Sequence, residues 1–382
     1  ITGLMALIAA YGIYRIWQAW QRKRLVTVAV SLLLLLACFG LARWEPYSYT
    51  PNKARWHYAR ADSWLRSGEV DKAAVEAELM LNEHFSYYMP FRLGHAFAAK
   101  GRHALAARLL EKALSPNPAD QPVSYRQDIY FHIGVAHAAG GNDDAAKRAF
   151  DEALRLNPED ARALNDMGVL LEKEGHDEEA LAYYRHATEV RPEFALAHSN
   201  LCDLLGRMGD HEAAIAACEA AVAAAPDSAD YMYNLGVQLA AAGMTEDAIK
   251  QYRAALAVAP EDVRVLNNLA LLLEDATEAE TLLRRALEIK PPFSLARANL
   301  GNLYVKHGKT EQGLAVYLEG LELAPDDLEL MNGLGYQYLL LGTLDKAREQ
   351  FEHALEIAPD YDRARVNLVQ ACTLAGDLDA AL

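Results

Sequence analysis

The sequence predicts an all-α protein, a solenoid of stacked helical hairpins preceded by one or two transmembrane helices. Two observations lead to this prediction. Proline recurs every 34 residues, at Pro158, Pro192, Pro226 and Pro260, and a fixed period of roughly 20 to 50 residues is typical of repeat proteins. An uncharged stretch of 18 residues covers 25–42. As a helix it would be about 27 Å long, close to the hydrocarbon thickness of a bilayer.

Length and charge limit the alternatives. The 382 residues carry a formal net charge of −16, with 52% hydrophobic and 24% charged residues. Since one compact core rarely grows past roughly 300 residues, we expect several domains or an elongated array. The excess of acid would repel phosphate, so no nucleic-acid partner is expected. Residues 1–53 hold six basic side chains and one acidic one, whereas the remainder is acidic, which marks a boundary between two different parts.

The amino-terminal part is predicted to anchor the chain in a membrane. We interpret residues 1–24 as a first apolar helix with a basic cytoplasmic turn, 25–42 as a transmembrane helix and 43–53 as a juxtamembrane linker. A signal-peptide core or an interfacial helix is the alternative for the first helix, although a secretory signal would place its basic residues before the apolar run. Because the chain begins with Ile1 rather than methionine, we expect further sequence upstream.

The same segment predicts an orientation. By the positive-inside rule the short basic turn belongs in the cytoplasm, which places everything after Arg43 on the outer side. A bacterial inner membrane with a periplasmic array is the location we expect. Aromatic and basic side chains would mark the membrane surfaces. The predicted membrane anchors are Trp17, Trp20, Arg22, Lys23, Arg24 and Trp44.

Small residues recur together with the prolines. They stand at Gly168, Cys202 and Gly236, at Ala180, Ala214 and Ala248, and at Ala187, Ala221 and Ala255. This pattern resembles the tetratricopeptide repeat (TPR), whose unit is a pair of antiparallel helices. The resemblance implies that residues 54–382 form an array that coils into a right-handed superhelix, because one pair cannot bury its apolar faces alone. Nine units and a truncated tenth are expected, the nine at 54–86, 87–120, 127–160, 161–194, 195–228, 229–262, 263–293, 294–327 and 328–361.

Glycines are predicted to end the first helix of most units, because they adopt the left-handed backbone that a helix end requires. Residues 121–126 form an insertion between units, and the unit 263–293 is three residues short, which predicts a tight connection between its helices. The predicted turn glycines are Gly101, Gly141, Gly175, Gly209, Gly243, Gly308 and Gly342.

We find no catalytic constellation in the sequence. His211 and Glu212 begin a zinc-protease-like motif, but Ile215 stands where the second histidine is required. A phosphate-binding glycine loop and a serine elbow are both missing. We therefore predict no catalytic residue, no metal and no cofactor in the chain, and we leave open whether an enzyme is attached to it.

Two cysteines are predicted to face each other. Cys202 and Cys218 occupy facing helices of one unit, where a disulfide would matter in an oxidising compartment. Both positions also accept any small apolar side chain, so we expect buried free thiols.

Asparagine recurs on the first helices. In this family the sixth residue of each first helix is implied to point into an inner groove. A side-chain amide both donates and accepts, so a row of amides can pair with successive peptide groups of an extended guest. The row resembles the asparagine ladder of O-linked N-acetylglucosamine transferases; the alternative is that asparagine here only serves helix packing. The asparagine ladder comprises Asn200, Asn234, Asn268, Asn299 and Asn367, with Asn165, Asn267 and Asn332 one place earlier.

These observations lead to one functional hypothesis and an alternative. The first is a membrane-tethered scaffold that binds proteins or extended peptides in its concave groove outside the cytoplasm, with the bilayer held by residues 1–42 and no small-molecule partner. The alternative is the tail of a membrane glycosyltransferase, because residues 11–46 resemble the last two spans of bacterial dolichyl-phosphate-mannose-type (GT-C) enzymes that carry TPR tails. That resemblance implies an array that presents protein acceptors to a catalytic part upstream of Ile1. A periplasmic assembly factor would have the same visible residues.

Overall fold

The computed structural model describes residues 14, 18, 52–83, 87–117 and 120–377. Apart from Tyr14 and Gln18, the predicted membrane helices lie outside these residues, as do all six predicted membrane anchors. Within the described residues, no helix is both long enough and apolar enough to cross a bilayer. The chain divides into two compact bodies, Ile1–Gln121 and Pro122–Leu382.

The first body contains two helical hairpins in its described residues. Their helices are α1 (Lys53–Arg66), α2 (Val70–Leu81), α3 (Tyr88–Ala98) and α4 (His103–Ala113). The helices of each hairpin pack through small side chains such as Ala61 and Ala77, which are fully buried. In α1 and α2, His57 Nδ1 lies 2.7 Å from Glu76 Oε2. A polar contact therefore supplements the apolar packing of this hairpin.

The second body is a series of hairpins followed by one further helix. Its first helices are α5 (Val123–Ala139), α7 (Ala161–Lys173), α9 (Ala195–Arg207), α11 (Ala229–Ala241), α13 (Val263–Leu272), α15 (Ser294–Lys306), α17 (Leu328–Leu340) and α19 (Asp362–Ala375). Its second helices are α6 (Asp143–Leu156), α8 (Asp177–Val190), α10 (His211–Ala224), α12 (Thr245–Val258), α14 (Ala276–Ile289), α16 (Thr310–Leu323) and α18 (Leu344–Ile357). The predicted all-α solenoid is confirmed for this body.

Local sequence sets the ends of the helices. Side chains of aspartate, asparagine or serine accept hydrogen bonds from backbone N–H groups at several helix starts, as Asp262 does from the N–H of Arg264 at 2.9 Å. All seven predicted turn glycines have positive φ, between 71° and 84°. Gly68 and Gly376 adopt the same conformation, at φ 82° and 79°. The turn prediction is thus confirmed, because a left-handed residue is a local requirement of the chain.

Departures from the repeat change single elements. The predicted insertion contains the boundary between the two bodies, and its residues from Val123 onward form the first turn of α5, which reaches 17 residues. Gln121 is buried and donates to the carbonyl of Ala113 at 2.7 Å. In the short unit, α13 has 10 residues and Asp275 caps α14 by accepting from the N–H of Thr277 at 2.8 Å. The tight connection is therefore present.

Glycine and an aromatic ring pair within most hairpins of the second body. A Cβ atom built on Gly236 would lie 2.5 Å from the ring of Tyr252, and one on Gly168 would lie 2.7 Å from Tyr184. The same relation joins Gly134 to Phe150, Gly301 to Tyr317 and Gly335 to Phe351. All five rings are almost completely buried. The rings therefore fix the spacing of the two helices in a hairpin as well as filling space toward the next hairpin.

The expectation of free thiols at Cys202 and Cys218 is wrong, because the two residues form a disulfide between α9 and α10. Their Cα atoms are 5.3 Å apart, a separation that suits a bridge. The positions are those at which the neighbouring hairpins hold glycine and tyrosine. Because neither residue is bulky, the helices approach closely enough for the two sulfur atoms to bond. Cys372 is free and buried.

Candidate peptide-binding groove

The first helices of the second body form one continuous face. Successive first helices contact one another in the pairs α5 and α7, α9 and α11, α13 and α15, α15 and α17, and α17 and α19. No pair of second helices in this body makes contact to the same extent. The first helices therefore lie closer together than the second helices do, so the face they form is the inner, concave one. We call it the groove.

The eight residues of the asparagine ladder are brought together in the groove, but as two rows that bond to each other. The Nδ2 group of Asn200 donates to Oδ1 of Asn165 at 2.9 Å. In the same way Asn299 donates to Asn267 at 2.8 Å, and Asn367 donates to Asn332 at 2.8 Å. In each pair the sixth residue of one first helix bonds to the fifth residue of the preceding first helix.

Two further ladder residues follow this rule with other acceptors. Asn234 donates to the hydroxyl of Ser199 at 3.1 Å and contacts Asp203 Oδ2 at 3.3 Å. Asn268 donates to the hydroxyl of Tyr233 at 3.2 Å. The sequence did not reveal this pairing. The signal was present, however, because every fifth residue in question carries an oxygen acceptor.

We call the sixth-position asparagines the outer row of the ladder. Their pairing with the fifth-position residues leaves hydrogen-bonding capacity in this row. Asn165 and Asn267 are buried, at 1% and 4% exposed, whereas the sixth-position asparagines are half-buried. A side-chain amide has two N–H groups and one oxygen. Within the part of the chain that the structure describes, no donor reaches the Oδ1 atoms of Asn200, Asn234, Asn299 and Asn367. Each of these amides can therefore hold its neighbour and still accept from a guest.

Apolar side chains accompany the ladder. Three residues after the sixth position, on the same helix face, the chain carries Val169, Val237, Leu271 and Tyr336. Leu271 is 58% exposed, and Val169 and Tyr336 are 43% and 41% exposed. Exposed apolar groups beside hydrogen-bonding amides are what an extended polypeptide requires of a binding surface. Sequence analysis missed this row, which the 34-residue period would have revealed.

One carboxyl group interrupts the apolar row. Burial raises the pKa of Asp203 to about 6, and the nearby negative charge of Glu172 adds to the effect. The positive charge of Arg207, whose Nη2 also lies 2.7 Å from Glu172 Oε1, opposes the rise in the pKa of Asp203. Burial likewise raises the pKa of Asp166, which accepts from Asn165 Nδ2 at 3.0 Å. This stretch of the groove therefore changes its charge in mildly acidic solution.

Metal binding has no support from the described ranges, where no three histidine, cysteine, aspartate or glutamate side chains converge as a metal site would require. The groove instead offers amides, hydroxyls and apolar groups. These groups suit noncovalent recognition.

A family model of the tetratricopeptide repeat matches residues 131–195, 200–248, 239–292 and 299–362, more than half of the chain. The chain belongs to the tetratricopeptide repeat family. No curated protein matches the sequence. The matches to the family model begin at residue 131 and lend no support to the glycosyltransferase resemblance of residues 11–46.

Solved structures agree with this fold. A TPR protein from Parabacteroides merdae is 17% identical, with a TM-score of 0.55 over 65% of this chain and 99% of that one. Yeast Tom70 is 14% identical, with a TM-score of 0.49 over 86% of this chain and 90% of that one. YrrB, a TPR protein with an unusual peptide-binding site, is 24% identical, with a TM-score of 0.34 over 57% and 97%. The first of these shows the TPR fold, and the lower scores of the others add nothing to it.

Proposed function

We propose that this TPR protein is a membrane-tethered scaffold that binds extended peptides or proteins in its groove, outside the cytoplasm. The observation that carries the proposal is the asparagine ladder, in which Asn200, Asn234, Asn299 and Asn367 retain free oxygen acceptors after their bonds to the neighbouring helices. Peptide N–H groups recur along any extended chain. A row of acceptors can therefore bind a guest through its backbone.

The groove favours a polypeptide over a polar polymer such as a glycan. Leu271 and Val169 expose apolar surface beside the ladder, and burying that surface would stabilise a complex by about 25 cal/mol per Å². Asp203 and Asp166 add negative charge at neutral pH. We therefore expect neutral or basic guests to bind more tightly than acidic ones.

The membrane tether and the outer location rest on the sequence of residues 1–42 and on its charge order. The disulfide between Cys202 and Cys218 supports the outer location, since disulfides persist mainly in oxidising compartments. A phosphatase reporter fused after Lys53 tests this part. Activity of the reporter on the outer side supports the proposal, whereas a reporter that is active only in the cytoplasm contradicts it.

The ladder is tested by the combined substitution Asn200→Ala, Asn234→Ala and Asn268→Ala. The measurement is fluorescence anisotropy with labelled synthetic peptides that share no sequence. Asn200 and Asn234 each offer a guest one free oxygen, whereas Asn268 already accepts from Asn267. Because each lost hydrogen bond contributes about 1 kcal/mol, we expect every peptide to bind at least tenfold more weakly, by a similar factor. An unchanged affinity in the folded variant contradicts the ladder.

A matched control comes from the second helices of three adjacent hairpins. Glu178, Glu212 and Glu246 recur with the same 34-residue spacing and are exposed on α8, α10 and α12. Replacing these three by alanine also makes three substitutions, two of them in the hairpins of Asn200 and Asn234, but leaves the groove intact. The control should retain peptide binding. An equal loss in the control would assign the effect to stability rather than to the ladder.

The glycosyltransferase alternative is retained as a second proposal on the strength of residues 11–46 alone. It is tested by the reading frame that encodes Ile1. Several further apolar spans upstream, with an acidic residue in the first outer loop, support it. A start codon immediately upstream of Ile1 contradicts it and leaves the scaffold.

A further inference from the structure

A cavity lies away from the groove, where second helices α14 and α16 flank first helix α15. Its volume is about 430 Å³, within the range of small-ligand sites of roughly 300 to 1,000 Å³. Leu287, Leu300 and Val316 give it apolar walls. Because second helices form two of its sides, the cavity opens on the outer surface of the array.

Arg297 supplies a buried positive charge to this cavity. The residue is only 8% exposed. Among the described residues its guanidinium makes one hydrogen bond, from Nη2 to the carbonyl of Pro291 at 3.0 Å. The nearest carboxylate oxygen, Oε2 of Glu319, is 3.8 Å from Nη1, which is too far for a hydrogen bond. A guanidinium has five N–H groups, so a buried one with so few partners is poorly compensated.

Comparison with the flanking hairpins shows that the chain makes room for Arg297 in this hairpin alone among the three. The equivalent residues of the flanking hairpins are Leu266 and Met331, both fully buried. Gly320 stands where the flanking hairpins hold alanine. A Cβ atom on Gly320 would lie 2.3 Å from Cδ of Arg297 and 2.7 Å from Cδ1 of Leu330. The glycine therefore provides the space in which the arginine side chain lies, and the two departures from the repeat form a pair.

The remaining charged groups of the cavity lie at its mouth. Arg284 and Gln312 are exposed, as are Glu288 and Glu319. Exposed side chains of this length reorient readily, whereas the buried guanidinium of Arg297 is fixed by packing. Among the described residues, Glu319 is the only carboxylate within 4.0 Å of the Arg297 guanidinium, and it makes a loose contact that a better-placed carboxylate can replace.

We propose that this cavity binds a carboxylate attached to an apolar group, with the carboxylate on Arg297 and the apolar group against Leu287, Leu300 and Val316. Arginine binds carboxylates through two parallel hydrogen bonds, a geometry that Glu319 does not reach. The apolar C-terminal residue of a peptide and a short fatty acid share this chemistry. The site is separate from the groove and does not depend on the proposed function.

The test uses the whole chain and calorimetric titration with N-acetyl-leucine, hexanoate and N-acetyl-leucinamide, which lacks the carboxylate. At least one of the two carboxylates should bind, and the amide should not. Binding of N-acetyl-leucine alone identifies a peptide end as the natural ligand, and binding of hexanoate alone identifies a fatty acid. If the amide binds as well as the acid, or if neither acid binds at millimolar concentration, the proposal is overturned.

Two variants and a control assign the binding to Arg297. Arg297→Leu restores the side chain of the flanking hairpins and should weaken carboxylate binding by at least tenfold, since a charge-assisted pair is lost. Glu319→Gln removes the competing carboxylate and should tighten binding, an effect that a purely structural arginine would not produce. Arg365→Leu is the matched control, because Arg365 makes the same bond to the carbonyl of Pro359 but does not line the cavity. Equal losses in Arg297→Leu and Arg365→Leu overturn the assignment.

Discussion

Cys202 and Cys218 are joined by a disulfide across one hairpin, with their Cα atoms 5.3 Å apart. In the next hairpin the same two positions are Gly236 and Tyr252, where the ring packs directly on the glycine. One covalent bond thus takes the place of a packing interaction that five other hairpins of the second body repeat. In the second body, a disulfide in one hairpin and glycine–aromatic contacts in others both hold two helices at a short distance.

Reduction of the disulfide is expected to destabilise the array. A bridge with a sequence separation of 16 is worth about 3 kcal/mol by loop-closure entropy. Urea unfolding followed by circular dichroism should show a lower midpoint in dithiothreitol. The variant Cys202→Gly with Cys218→Tyr restores the pair of the neighbouring hairpin, so it should recover part of the stability and be insensitive to reductant.

Cys372→Ala is the control for this experiment, because Cys372 is the free, buried cysteine of the second body. Dithiothreitol should lower the urea midpoint of this variant by as much as it lowers that of the unmodified chain. An unfolding midpoint that does not respond to reductant in the unmodified chain contradicts the structural role of the disulfide.

Gly236→Ala is expected to be destabilising through steric overlap. The added methyl group would lie 2.5 Å from Tyr252 Cε1, and overpacking of a core costs about 1 to 3 kcal/mol. Adding Tyr252→Leu should relieve the overlap and recover part of the loss. Thermal unfolding of the single and double variants measures both effects. Additive losses in the double variant would show that the two residues do not contact each other as described.

Asp203 is expected to make stability depend on pH. Burial raises its pKa from 3.8 to about 6, so the folded chain retains a proton that the unfolded chain has lost between these values. Stability therefore falls as the pH rises from about 4 to about 6, because the unfolded state then binds fewer protons. Asp203→Asn removes the titrating group. At pH 7 the variant should be more stable by about 1 kcal/mol, less than the full shift implies because the side chain is partly exposed to solvent.

Unfolding midpoints of both proteins between pH 4 and pH 7.5 test this prediction. The two curves should converge at the acidic end and diverge as the pH rises. Parallel curves would mean that the carboxyl of Asp203 is ionised as easily in the folded chain as in the unfolded one.

The sequence predicts the helical hairpins because their determinants are local. A glycine such as Gly175 ends a helix by its own backbone conformation, at φ 81°, and the period of the prolines fixes the length of each unit. Contacts between units are harder to predict from the sequence. That Asn200 bonds to Asn165 depends on the offset between successive first helices, which the period does not specify. The disulfide was missed for a related reason, since facing cysteines bond only if the helices bring their Cα atoms close enough.

Some departures from the repeat pattern are visible in the sequence, but only the structure explains them. Gly320 interrupts a series of alanines at Ala187, Ala221 and Ala255. The close approach of Arg297 Cδ and Leu330 Cδ1 explains the exception. The membrane segment lies outside the described residues, so its orientation stays a prediction.

Photo-crosslinking measures occupancy of the groove most directly. Benzoylphenylalanine replaces Val237, three residues after Asn234 on the ladder face, and in a second protein it replaces Glu246, which is exposed on second helix α12. If the groove holds extended peptides, irradiation with a synthetic peptide mixture will give peptide adducts at position 237 and only background at position 246. Equal labelling of the two positions, or labelling at 246 alone, would contradict the assignment of the groove as the binding surface.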